Sequence, residues 1–140
     1  MSRFWQNWLI GWCLAVGMFG ALLAGGGLEV TSGPVRMIFA QLNGPGQLDL
    51  NPHVRFCLAV LGAVSIGWSI TLYSAISAAN QLGKQAGKLV WRQLIASTIT
   101  WYVIDSGLSI ATGFGLNAIP NTVLLAGFLL PVISSGVLSE

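Results

Sequence analysis

Charge is what this sequence has least of. Its 140 residues include four acidic and six basic side chains, 7% charged in all, against the roughly 25% of soluble domains. So little charge cannot clothe a water-exposed surface, which excludes an ordinary soluble fold. Six scattered cations also fall short of the basic stripe that nucleic-acid binding requires. Histidine occurs once, at His53, and cysteine twice, at Cys13 and Cys57, neither cysteine in a CxxC or other close ligand spacing. That argues against a zinc site or a redox pair, and the two thiols read as buried and unreactive. No metal and no cofactor is predicted. Catalytic groupings are missing as well. There is no nucleophile beside a base and no pair of carboxylates in the apolar part of the chain, so the sequence points away from an enzyme.

Hydrophobic residues, in contrast, make up 54% of the chain and gather into four long runs. A hydrocarbon core about 30 Å thick needs about 20 apolar residues in helical form. The runs predict an all-α fold, a membrane four-helix bundle in one domain over residues 1–140, with transmembrane spans at about 5–25, 55–79, 92–115 and 119–137. Phe4, Trp5 and Trp8 open the first run as an interfacial anchor. A cleavable signal peptide is the competing reading there, since a charged start is followed by an apolar stretch and the small residues Ala24-Gly25-Gly26. The apolar stretch is longer than a signal core, which favours the anchor.

Small residues recur at helical spacing and mark faces where another backbone can come close. In the first span these are Gly11, Ala15, Gly17, Gly20, Ala21 and Ala24. In the second, Ala59, Ala63 and Gly67 form a ridge, and Ser65, Ser69 and Tyr73 line a seam. In the third, the ridge is Gly107, Ala111 and Gly115. Pro131 falls inside the fourth span and predicts a kink, because proline has no amide donor.

Between the first two spans, Pro34 to Leu42 carries Val35, Ile38, Phe39 and Leu42 at spacings of three and four, the pattern of a short amphipathic helix expected to lie on the membrane surface and to cap the bundle. The segment from Asn80 to Arg92 reads as a basic connection, with Lys84, Lys88 and Arg92 and no acid. Its Gly83-Lys84-Gln85-Ala86-Gly87-Lys88-Leu89 has a glycine spacing one residue short of a P-loop and lacks the Ser or Thr that would hold magnesium. A cation excess marks the cytoplasmic side. The expected topology therefore has both termini inside, residues 28–52 outside, and a bacterial-type inner membrane as the setting.

One residue resists this bland picture. Asp105 stands in the third run about 20 Å of helical rise beyond Arg92 and about 15 Å before Gly115. A charged side chain at the centre of a bilayer costs about 2.5–3.5 kcal/mol on insertion scales, so such residues face a partner or water. Ser109 and Thr112 share its face and Trp101 lies one turn before it, giving a candidate intramembrane polar site of Asp105, Ser109, Thr112 and Trp101. Three states fit it. The carboxyl is protonated and hydrogen-bonded, or it is ionised against Arg36 or Arg55 with His53 nearby, or it faces a ligand or ion path.

With almost no chemistry outside its spans, the chain reads as a structural or accessory subunit. Its partners are the lipid bilayer and other membrane subunits, or further copies of itself. The alternative is a small transporter or channel with a proton or cation path through Asp105.

Overall fold

The computed structural model describes residues 1–138, apart from the side chain of Lys84, so Ser139 and Glu140 and the side-chain part of the basic-connection reading at Lys84 lie outside the described residues. All regular structure among them is helical. The main helices are α1 (Arg3–Gly25), α2 (Gly33–Leu42), α3 (Pro52–Gln81), α4 (Lys84–Ala111) and α5 (Ala118–Ser134), with single 3-10 turns at Glu29–Thr31 and Gly115–Asn117. Four of them, α1, α3, α4 and the last turn-plus-helix Gly115–Ser134, are long and apolar enough to cross a membrane.

Local signals set the boundaries. Ser2 caps α1 by accepting from the amide of Trp5, and the Gly25-Gly26-Gly27 run ends it. Asn51-Pro52 forms the start of α3. The Asn51 side chain accepts from the amides of His53 and Val54, and Pro52 occupies the first turn, where its missing donor is harmless. The basic connection is far shorter than the 80–92 segment predicted, because only Leu82 and Gly83 separate α3 from α4. Lys, Gln, Ala and Leu after Gly83 are good helix formers. Gly87 permits the tight reversal, since a Cβ there would stand 2.6 Å from the carbonyl oxygen of Ala79. At the other end α4 stops at Ala111, four residues before Gly115, and Gly113 takes a positive φ of 88° that turns the chain toward α5.

The four long helices form a ring in which α1 packs on α3, α3 on α4, α4 on α5 and α5 on α1, the α1–α3 contact being the most extensive. Its backbones touch around Gly20, Ala24 and Gly62. A Cβ on Gly62 would lie 2.6 Å from the Cα of Ala24 and would overlap its backbone nitrogen. The small-residue face expected on α1 is therefore used at Gly17, Gly20 and Ala24, while Gly11 meets nothing within 4 Å. On α3 the register differs from the predicted ridge. Gly62, Ser65 and Ser69 face α1, with Ala59 against Gly27, and Ala63 and Gly67 point away. Ser69 fixes this register by donating to the carbonyl of Cys13 at 2.7 Å.

Apolar side chains gather at the two ends of the ring. Leu9, Trp12, Val16, Leu72, Ile76, Trp91, Leu94, Phe128 and Val132 fill the end nearest the α3–α4 reversal. At the opposite end, Leu23, Val35, Leu50 and Leu58 form a smaller cluster under α2, with Phe39 against it. Burying Val35 completely contributes about 1.5–3 kcal/mol to holding α2 in place. The chain after α2 continues the cap, and the ring of Phe39 meets that of Phe114 edge-on at 6.0 Å.

Pro131 is buried inside α5, which continues past it to Ser134. Proline cannot donate to the carbonyl four residues earlier, that of Gly127. The indole Nε1 of Trp8 donates to that oxygen instead, at 2.8 Å, and one turn along α1 Trp12 donates to the carbonyl of Leu124 at 2.9 Å. Trp8 thus does more than the anchoring its position predicted. It satisfies a backbone group that the proline leaves without its helical partner.

Candidate functional site

Asp105 lies on α4 six residues before the helix ends, about 9 Å of rise, beneath the turn that leads into α5. Its Oδ1 is the centre of a polar cluster. It accepts hydrogen bonds from Nδ2 of Asn117 at 2.9 Å, from Nδ2 of Asn121 at 2.8 Å and from the Ser109 hydroxyl at 3.3 Å. Each amide uses its nitrogen twice. Asn117 also donates to Ser109 Oγ at 3.0 Å, and Asn121 to Ser106 Oγ at 3.2 Å. Ser106 and Asn121 are buried, and Asp105, Ser109 and Asn117 are half-buried.

Helical spacing explains the assembly. Asp105 and Ser109 stand one turn apart on α4, and Asn117 and Asn121 stand one turn apart across the start of α5. The tight turn between the helices brings the two pairs face to face. Next to the cluster, the hydroxyls of Tyr102 and Thr122 meet at 3.1 Å and add a second polar link between α4 and α5.

Of the residues singled out in the sequence, Ser109 joins Asp105 and the others lie elsewhere. Trp101 sits one turn away with its ring centroid 5.8 Å from that of Trp68 on α3. Thr112 turns back on its own helix and donates to the carbonyls of Leu108 and Ser109. Arg36 and Arg55 both pair with Glu29 beneath α2, and Arg55 also donates to the Gly26 carbonyl at 3.2 Å, tying the end of α1 to the start of α3. These are the two ion pairs among the described residues, and neither involves Asp105. His53 is exposed in the first turn of α3, where its backbone amide completes the Asn51 cap.

The three residues that sequence reasoning left out are Ser106, Asn117 and Asn121. The i, i+4 spacing of the two asparagines was the available signal, since two amides so placed at the start of an apolar helix need acceptors. No group of three His, Cys, Asp or Glu side chains among the described residues is arranged to hold a metal ion. The cluster consists instead of one accepting carboxylate, two donating amides and two hydroxyls.

A second feature of functional interest faces outward from α3. Ala63, Gly67, Thr71, Ser74 and Ala78 recur at intervals of four, four, three and four and are all exposed. Nothing lies within 4 Å of a Cβ built on Gly67. Thr71 and Ser74 return their hydroxyls to the carbonyls of Gly67 and Ile70, at 3.0 and 2.9 Å, so the face is small and largely free of unmet polar groups. Comparison with protein-family models, with curated proteins and with solved structures finds no match to the chain.

Proposed function

We propose that the chain crosses a bacterial-type inner membrane four times and serves as a structural or accessory subunit, packing by its α3 face against another membrane helix, from a different subunit or from a second copy. The observation that carries this reading is the ridge of Ala63, Gly67 and Thr71. On its other side, α3 uses the same kind of surface at Gly62 to bring α1 into backbone contact. In lipid there is no hydrophobic drive between helices, so close packing over small residues is a main source of association. The engagement of Asp105 by donors of its own hairpin supports packing over conduction.

The charge distribution supports an orientation with both termini inside. Arg3, Lys88 and Arg92 stand toward the α3–α4 reversal, whereas Arg36 and Arg55 at the α2 end share Glu29 and are offset in charge by Glu29 and Asp49 together. Reporter fusions after Lys88 test this, and periplasmic activity at that point would reverse it. The subunit reading is tested by extracting the wild-type chain and Gly67→Leu in a mild detergent and comparing their native masses. The wild type should migrate in an assembly larger than one chain, and Gly67→Leu as a single chain with an unchanged melting midpoint. A wild-type chain that is monomeric and unaccompanied under several gentle conditions would defeat the proposal.

A further inference from the structure

We infer that the cavity beside α2 seats the headgroup of a zwitterionic phospholipid carrying a primary ammonium, with the phosphate on Arg36 and the ammonium on Asp49. The inference rests on the membrane reading above. The cavity encloses about 420 Å³, within the range of roughly 300–1,000 Å³ usual for small-ligand sites. Three segments wall it: α2 from Arg36 to Asn43, residues 44–49 of the chain that follows, and Phe114 from the turn between α4 and α5. A Cβ on Gly44 would overlap the Phe114 ring, and one on Gly113 would stand 3.0 Å from Cδ of Pro45, so the segment after α2 lies directly on that turn. The cavity is thus built into the fold.

Its chemistry is graded. Phe39, Leu48 and Phe114 are half-buried and supply an apolar base, whereas Arg36 and Asp49 are exposed and stand at the rim. Arg36 gives one guanidinium nitrogen to Glu29 at 3.2 Å, and that carboxylate is shared with Arg55, so the rest of the Arg36 fork is open to an acceptor. A planar fork of N–H donors suits a phosphate. The Asp49 side chain makes no ion pair or hydrogen bond among the described residues. A cation and a free acid on one cavity fit a ligand that carries both charges, since a simple anion would meet Asp49 and a simple cation would meet Arg36. Asp49 also favours a primary over a quaternary ammonium, because only the former has N–H groups to donate to a carboxylate. The surroundings identify a lipid as the source. Leu28, Val30 and Met37, at the same end of the bundle, are 68%, 96% and 66% exposed, a rim suited to the boundary between headgroups and acyl chains where an amphipathic helix lies.

The test uses the full-length chain. A wild-type chain that stays in the supernatant when membranes are sedimented overturns the membrane reading and this inference with it, and the remaining outcomes concern the cavity alone. In detergent micelles, unfolding is followed by tryptophan fluorescence as phosphatidylethanolamine or phosphatidylcholine with the same acyl chains is added. A ligand that binds only the folded state raises the midpoint in a saturable way. The ethanolamine lipid should raise the wild-type midpoint to a plateau, and about fivefold more choline lipid should be needed for the same rise, the equivalent of about 1 kcal/mol in binding. Asp49→Asn should erase that preference, and Arg36→Gln should raise the requirement for both lipids. Free O-phosphoethanolamine at the same concentration should leave the midpoint where it is. Equal wild-type midpoints in the two lipids overturn the proposal, as does a preference undiminished in Asp49→Asn, and a rise from the free headgroup equal to that from the lipid overturns its assignment to a lipid. If Arg36→Gln fails to fold, Asp49→Asn decides the matter by the same criteria, since its side chain is exposed and holds no other element in place.

Discussion

Between α1 and α3 the contact runs through Gly20, Ala24 and Gly62, and no side chain longer than serine intervenes where the backbones touch. Between α4 and α5 the contact at the α2 end runs through Asp105, Asn117 and Asn121, with side chains bridging the gap. The first pairing gains its stability from dispersion over a close, shape-matched surface, and any added atom is an obstacle. The second depends on matching each donor to an acceptor, and tolerates added bulk better than a lost partner. A glycine seam holds helices by what it lacks, and a polar clasp by what it contains.

The largest effect should come from filling the seam. Gly62→Leu places a branched side chain where the Ala24 backbone already stands, and should cost about 3 kcal/mol or more or prevent folding altogether, read as a lowered melting midpoint or loss of a monodisperse species in detergent. Gly67→Leu, five residues on but facing away, is the control and should leave the midpoint unchanged. Equal damage from both would mean that α3 is rotated from the register described.

Next in size is removal of the clasp's acceptor. Asp105→Ala leaves the amides of Asn117 and Asn121 without their shared partner, and should lower stability by about 1–3 kcal/mol. Asp105→Asn keeps an oxygen in place and should lose no more than about 1 kcal/mol. If alanine is tolerated as well as asparagine, the cluster does not hold the hairpin together.

A smaller coupling is expected between Trp8 and Pro131. Trp8→Phe removes the donor to the Gly127 carbonyl, at a cost of about 1 kcal/mol, and Pro131→Ala restores a helical donor to the same oxygen. In a double-mutant cycle the cost of Trp8→Phe should therefore shrink in the Pro131→Ala background. Full additivity would show that Trp8 and Pro131 act independently. Smallest of all, Arg36→Gln should change stability by less than about 1 kcal/mol, because both members of its pair with Glu29 are largely in solvent.

The four helices were legible because long apolar runs need only length and composition, and α2 because its apolar residues keep a strict spacing of three and four. Rotation about a helix axis was harder to read. Two small-residue lines lie close together on α3, one through Ala63 and Gly67 and one through Gly62, Ser65 and Ser69, and sequence alone does not say which line meets α1. The Ser69 bond to Cys13 decides it, and that bond joins residues 56 apart. Asp105 stood out because a charge in an apolar run is conspicuous, and Ser109 followed from the helical repeat. Asn117 and Asn121 did not follow, since their place beside Asp105 depends on where α4 ends and how sharply Gly113 turns the chain. Arg36 and Arg55 were plausible partners by charge alone, but Glu29 is nearer to both in the fold.

The hydrogen bond from Trp8 to Gly127 also bears on the order in which the molecule is put together. Helix α5 leaves the ribosome after α1, α3 and α4, and because of Pro131 the carbonyl of Gly127 inside it lacks its helical donor. That oxygen takes its donor from a helix made before it, α1. Closure of the ring is then a selective step. An α5 that docks in the wrong rotation leaves the carbonyl unmet, so α1 inspects a helix made after it, and a truncated chain without α1 should retain α4 and α5 as a pair that never settles into one arrangement.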